Sequence, residues 1–250
     1  MTTHSGTGEA ALLWRQYRFE RRLFWRNPSA AFFNFALPLI FLLLIASVFN
    51  TDKQELNTLI PGIAGMSVMA TTFTALAFNL TFYREQGILK RILGAPLPRT
   101  TYFGGLIGSA ITNALVQVLL VVAIGHLIYD VSWPKDWVAL FVFTMLGVVA
   151  CGSLGIAFAQ VIPNFDSAPA YVNAVFLPAI FISGVFYDDV HLPSVLKGIA
   201  EALPLKHVID GLHGAIITGN GLSHYGGAIV ALLLWSAFGI YASIRWFRWE

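Results

Sequence analysis

Residues Trp137–Val161 read WVALFVFTMLGVVACGSLGIAFAQV, twenty-five positions without one Asp, Glu, Lys or Arg. As an α-helix this stretch is about 37 Å long, more than the roughly 30 Å of hydrocarbon in a bilayer. A strand crossing the same distance needs only about ten residues, and in lipid an open sheet edge would leave backbone groups unpaired, so a run of this length is a helix. Working outward from it, comparable apolar runs occupy Ala30–Phe49, Leu59–Phe82, Tyr102–Ile128, Ala168–Tyr187 and Tyr225–Phe247. The reading is an all-α integral membrane protein of six transmembrane helices forming one domain over residues 1–250. Composition agrees: 57% of the 250 residues are hydrophobic and 11% are charged, against about 25% charged in soluble domains, and the mean hydropathy is +0.71.

Charge placement orients these helices. Eleven of the 15 basic residues fall on one side: Arg15, Arg18, Arg21, Arg22 and Arg26 before the first run, Arg84, Lys90, Arg91 and Arg99 after the second, and Arg245 and Arg248 at the C-terminus. The other side carries Lys53, Lys135, Lys197 and Lys206 with eight of the 13 acids. The positive-inside rule makes the basic side cytoplasmic, with both termini there. The charged lead is too long for a cleaved signal sequence, so it is expected to be retained.

Residues 1–8 (MTTHSGTG) are small and polar and read as a disordered tail. Residues 9–27 follow with Leu12, Leu13, Tyr17, Phe19, Leu23 and Phe24 on one helical arc and the five arginines on the other. This is the pattern of an amphipathic helix lying in the membrane interface, turned into the first span by Asn27-Pro28.

Small residues mark helix contacts. Gly104-x-x-x-Gly108-x-x-x-Thr112 in the third run, and Gly147, Cys151, Gly155 and Ala159 in the fourth, recur at every fourth position and allow close backbone approach. Asn113 and Gln117 share a face with Gly105 and Ser109 and are candidates either to line a path or to bond a neighbouring helix.

Several classes of chemistry are excluded. The span cores hold no Asp, Glu, Lys or Arg, so a coupling ion has no mid-membrane carrier, His126 being the only ionisable side chain and lying near the end of its span. No lysine follows a glycine, as a phosphate-cradling loop requires. No Gly-x-Ser-x-Gly turn occurs, since Cys151-Gly-Ser153-Leu-Gly155 lacks its first glycine. Asp188, Asp189, His191, His207, His213 and His224 have ligand chemistry without a metal-binding spacing. The lone Cys151 can form no intrachain disulfide.

Two segments resemble the membrane subunits of bacterial ABC-2 transporters. The first, YREQGILKRILGAPLPR (Tyr83–Arg99), is similar to the family's cytoplasmic coupling helix between spans two and three. The second, Phe176-Leu-Pro178, Ser183-Gly184, Pro193, Leu203-Pro204-Leu205 and Asp210-Gly211-Leu212, matches the end of span five and the short re-entrant helices of the outer loop. Tyr187-Asp188 and His213 depart from that pattern, standing where the family often has proline and arginine.

The resemblance implies a permease subunit, not an enzyme, that pairs with a second permease copy and two cytoplasmic ATPase subunits, which bind ATP and magnesium. This chain would hold no cofactor and no nucleic acid, and membrane lipids would surround it. The implied cargo is amphipathic or hydrophobic, an antibiotic, drug or lipid. The alternatives are a surface polysaccharide or glycolipid, or a non-transporting scaffold or sensor. Arg84, Glu85, Gly87, Leu89, Lys90 and Arg91 would couple the ATPase on a helix of about ten residues, with Glu85 as the polar anchor and Gly87 allowing close approach. Two amphipathic helices are expected in the outer loop, from the spacing of Val195, Leu196, Ile199 and Leu203 and of Val208, Ile209, Leu212 and Ile216.

Overall fold

A computed structural model describes residues 6–48, 53–94, 97–187 and 193–247. Residues 1–5 of the expected tail, and Ala95, Pro96, Asp188, Asp189, His191 and Arg248, lie outside the described residues. The described chain is helical and contains no strand. Eleven α-helices follow in order: α1 Gly6–Arg26, α2 Pro28–Val48, α3 Lys53–Met69, α4 Ala75–Glu85, α5 Ile88–Leu93, α6 Arg99–Tyr129, α7 Trp137–Phe158, α8 Ala168–Ile182, α9 Ser194–Ala202, α10 Pro204–His213 and α11 Gly226–Trp246.

Four helical runs among the described residues are long and apolar enough to cross a bilayer, five if the α1–α2 pair, bent by 71°, counts as one span. They are residues 55–85, α6, α7 and residues 222–246. The expected fifth run is shorter than its sequence suggests. The chain leaves the helix at Ile182 and turns at Gly184, whose φ is +77°, so α8 has 15 residues and a length of about 22 Å.

The run from α3 to α4 is continuous through a π-helical turn, Ala70–Thr74. Its hydroxyls return to the chain's own carbonyls: Thr71 Oγ1 donates to Ser67 O at 2.8 Å and Thr72 Oγ1 to Val68 O at 2.6 Å. Ser67, Thr81, Thr144 and Ser236 each donate four residues back in the same way. Such bonding lets hydroxyls sit in an apolar interior without an unsatisfied donor.

Helix α7 is the axis of the bundle. Its Gly147 meets Val208 and Val68, and its Gly155 faces the backbone of Phe73 in the π-helical turn. On another side it pairs with α11, where Gly239 approaches Ser153 and Ser243 Oγ donates to Ser153 O at 2.9 Å. Helix α10 inserts between α3 and α7, burying Leu205, Val208, Ile209 and Leu212. Helix α9 instead leaves Val195 and Ile199 exposed. The α9–α10 corner is tied to the middle of α11 by Trp235 Nε1, which donates to Ala202 O at 3.0 Å.

Both ends of the α6–α7 connection are capped by polar groups. Asp130 closes α6 in the left-handed region, His126 Nδ1 lies 2.8 Å from Val131 O, and Asp136 Oδ1 accepts from Ala139 N at 2.9 Å to start α7.

A Cβ on residue 155 would lie 2.6 Å from Phe73 O and 2.8 Å from Phe73 Cα, against backbone that cannot rotate away. Gly155→Ala should therefore destabilise the protein by about 1–3 kcal/mol, and Gly155→Leu should abolish recovery of monodisperse protein. Gly227→Ala, with nothing within 4 Å of its Cβ, is the neutral control. Thermal unfolding followed by size-exclusion fluorescence in mild detergent measures all three.

Candidate functional site

The basic end of the bundle gathers α1, the α4–α5 turn, the start of α6 and the α7–α8 connection. Helix α4 stops at Glu85 because Gln86 leaves the helical region and Gly87 takes φ +66°. Nothing lies within 4 Å of a Cβ built on Gly87. Its glycine is required by backbone conformation, and no neighbour approaches it closely. The expected single helix is consequently two pieces, with Arg84 and Glu85 on the last turn of α4 and Leu89, Lys90 and Arg91 on the six-residue α5.

The two pieces face different ways. Leu89 is fully buried among Leu76, Leu80, Tyr102, Leu106, Ile156 and Ala159, which fixes α5 against the bundle. Lys90 and Arg91 remain exposed. Arg84 reaches across to the end of α7, where its guanidinium donates to Ala159 O at 2.9 Å, to Ile162 O, and to Pro163 O at 3.5 Å. A cation on the last carbonyls of a helix satisfies acceptors that have no partner in the helix and opposes its negative dipole end. Glu85 Oε2 accepts from Phe165 N at 2.6 Å, and the Phe165 ring packs edge-on to Phe82 with centroids 5.3 Å apart. Asn164 Oδ1 accepts from Ser167 N at 2.9 Å at the entry to α8. Two turns about 80 residues apart in sequence are thus joined into one surface, with Arg84 and Glu85 as the clasp.

Helix α1 packs along the start of α6. Leu13 fills the space over Gly104, Gln16 that over Gly105, and Tyr17 that over Gly108. Tyr17 Oη and Thr112 Oγ1 are 3.0 Å apart, and Arg21 Nη1 donates to Asn113 Oδ1. Gln117 is buried on α6 and its Nε2 donates to Phe35 O of α2 at 3.2 Å. Asn113 and Gln117 therefore bond neighbouring helices within the single chain. Arg15, Arg18, Arg22 and Arg26 stay exposed on the other side of α1, beside Trp14, Phe19 and Trp25.

Glu20 of α1 was not among the candidate residues read from the sequence. Its side chain is 7% exposed and accepts from Gln16 Nε2 at 2.8 Å. Burial pushes its carboxyl up to about 7, opposed by the Gln16 hydrogen bond. Electrostatic reach extends to Tyr83 on α4 and Tyr102 on α6. An acid at this position on an otherwise apolar arc was the available signal.

At the opposite end His207, His213, His224 and Asp210 line an open recess, but Asp210 is paired with Lys206 at 2.7 Å and His207 Nε2 lies 2.9 Å from Glu201 O. No group of three or more His, Cys, Asp or Glu side chains among the described residues has metal-holding geometry.

A family model described as ABC-2 type transporter matches residues 10–217. A probable multidrug ABC transporter permease of Escherichia coli, YbhS, is 22% identical over 175 residues, covering 69% of this chain and 46% of that protein. The inner membrane transport permease YadH of the same bacterium is 25% identical over 153 residues, covering 61% of this chain and 59% of the relative. The putative transport permease ycf38 of Pyropia yezoensis is 28% identical over 200 residues, or 75% and 67% of the two chains. The matched stretch spans about half the length of the two bacterial relatives.

Glu20 titrates at about 7 in the folded chain against an ordinary value of 4.5, so its ionisation opposes burial. The sign follows from linkage: at pH 4 the group is protonated whether buried or free and costs nothing, and the penalty grows as pH rises from 4.5 to 7, to an upper bound of about 3 kcal/mol. Glu20→Gln should strengthen hydrogen-exchange protection of residues 9–26 at pH 8 and leave it unchanged at pH 4. A difference independent of pH would show that the carboxyl is not desolvated.

Proposed function

Because this chain belongs to the ABC-2 type transporter family, we propose that it is the permease subunit of an ATP-driven exporter, carrying an amphipathic or hydrophobic compound outward across a bacterial plasma membrane. The chain performs no covalent chemistry in this reading. It pairs with a second permease copy, and two cytoplasmic ATPase subunits supply the energy and hold the ATP and magnesium.

Six spans follow if α2, the α3–α4 run, α6, α7, α8 and α11 each cross, with the Ser183–Tyr187 turn completing the short α8. The exposed arginines of α1 and the exposed Lys90 and Arg91 support a cytoplasmic basic end. Helix α1 then lies at that surface with Trp14 and Trp25 at headgroup depth. Helices α9 and α10 dip in from the outer side, since their corner bonds to Trp235 halfway along α11.

The observation that carries the coupling role is the Arg84–Glu85 clasp. A surface that passes displacement from an ATPase to the spans must move as one body. The clasp links the α4–α5 turn to the end of α7 and the start of α8, and Leu89 pins α5 beneath them. Lys90 and Arg91 are the exposed groups available to meet an acidic ATPase surface. In this reading Glu85, the expected polar anchor, acts by holding the surface together from within.

Glu85→Ala should leave insertion and abundance near normal, because the cations that fix topology remain, while cargo-stimulated ATP hydrolysis falls at least threefold. Leu89→Ala removes a fully buried side chain and should cost about 2–5 kcal/mol. Lys90→Glu with Arg91→Glu should weaken ATPase association about tenfold or more without changing the unfolding midpoint. Co-reconstitution of permease and ATPase in proteoliposomes, with export and hydrolysis measured together, decides among these outcomes. Wild-type export and hydrolysis in all three would leave this surface a topological flank.

A further inference from the structure

A cavity of about 310 Å³ separates α8 from the α7–α11 pair, and none of the groups that explain the rest of the fold occupies it. Helix α8 leans on α4, α9 and the π-helical turn, while α7 and α11 form the most extensive helix pair in the molecule. The gap between them is walled by carbon: Cys151, Leu154 and Phe158 from α7, Val175 and Ala179 from α8, and Phe238 from α11 among others.

Its dimensions limit the occupant. Trp235 and Trp246 both border the cavity and lie eleven positions apart on α11, a rise of about 16 Å. One leaflet of hydrocarbon is about 15 Å deep. Spread over that depth, 310 Å³ open to atom centres is a mean cross-section of about 19 Å², roughly 5 Å wide for the centres and about 8 Å between the walls once a radius of about 1.4 Å is added on each side, against the 10–12 Å diameter of an α-helix with its side chains. A second protein helix does not fit, and a single polymethylene chain does.

The two ends differ chemically. The roof, midway along α11, is the Leu203–Pro204–Leu205 corner, and Trp235 Nε1 is bonded to Ala202 O and so presents ring carbon to the cavity. At the foot, Arg245 follows Phe238 by seven residues, placing it on the same stripe of α11, and it is exposed. Trp246 stands beside it as an interfacial aromatic. The arrangement is closed and apolar at mid-depth, and cationic and open at the basic side.

We infer that this groove is a binding site for one acyl chain of an anionic phospholipid in the leaflet at the basic side, its headgroup paired with Arg245. The site rests on the chain being embedded in a bilayer, and on no particular cargo or ATPase. The α7–α11 wall is held rigid by the Ser243–Ser153 hydrogen bond and the Gly239 contact, so the lipid acts as packing for α8 and fixes its distance from the bundle.

The test uses the full chain in nanodiscs of phosphatidylcholine doped with phosphatidylglycerol carrying a diazirine in one acyl chain, with labelled residues mapped by mass spectrometry. Labelling is expected to concentrate on residues 154–161, 175–179 and 235–246, at least fivefold above the lipid-facing Phe32, Phe33 and Leu37 of α2. Val175→Trp, at a half-open wall position, should reduce groove labelling at least fivefold, and Ala157→Leu provides an independent filling variant. Arg245→Gln should retain labelling but lose an at least threefold preference for the phosphatidylglycerol probe over its phosphatidylcholine counterpart. Even labelling of all lipid-facing helices overturns the proposal, as does unchanged groove labelling in both filling variants when their unfolding midpoints match wild type. Disulfide-linked dimers of Phe238→Cys under mild oxidation would put a second copy over the groove and overturn it equally.

Discussion

The close approach of α7 to its neighbours is the constraint on which the other contacts depend. Lipid is as apolar as leucine, so burying side chains gives helices in a bilayer little reason to associate, and dispersion contacts at short range must do so instead. Here Gly155 admits the backbone of the π-helical turn on one side, and Ser153 with Gly239 and Ser243 admits α11 on another. Once these are in place, α10 can insert beside Gly147 and the end of α7 can present its carbonyls to Arg84. Loosening α7 would separate the Arg84–Glu85 clasp from the core in the same movement.

Polar groups are treated differently at each depth. Within the spans Ser67, Thr71, Thr72, Thr81, Thr144 and Ser236 return their hydroxyls to their own helix, while Ser243 bonds across to α7, so the interior contains polarity without fixed charge. At the basic end charge is used structurally, with Arg84 on the end of α7, Arg21 on Asn113 and Glu20 sealed beneath α1. At the opposite end charge is local, as in the Lys206–Asp210 pair four residues apart on α10. The division follows desolvation: an ion near a membrane surface can reach water or a partner, whereas one at mid-depth has neither.

Most of the fold was legible because apolar length is a one-dimensional property. The runs containing α2, α3–α4, α6, α7 and α11 could be read from residue type alone, as could α9 and α10 from the spacing of their apolar residues. The shortness of α8 depends on where Gly184 turns, and the division between α4 and α5 on the positive φ of Gly87, so both are decided by backbone conformation, which composition does not encode. The small-residue stripes marked contact faces without naming the partner. That Gly104 and Gly108 receive α1 required the three-dimensional arrangement. The direction of Arg84 and Glu85 was the least legible feature, because their partners lie 75 to 80 residues away and are backbone atoms, which carry no residue-specific signal.

The π-helical turn at Ala70–Thr74 has a geometric effect at a distance from itself. Each residue of an α-helix advances the azimuth by about 100°, so one residue accommodated as a bulge rotates everything beyond it by about that angle relative to an unbroken helix. The upper half of this span presents Gly62 to Val185 and Gly65 to Ile209, whereas the lower half presents Arg84 and Glu85 to the α7–α8 turn. An ideal helix carrying the same residues could satisfy one of these bearings and would miss the other by more than a quarter of a turn. The bulge works as a phase shifter within one span, setting the two ends of a single rod to the two different directions in which their partners lie.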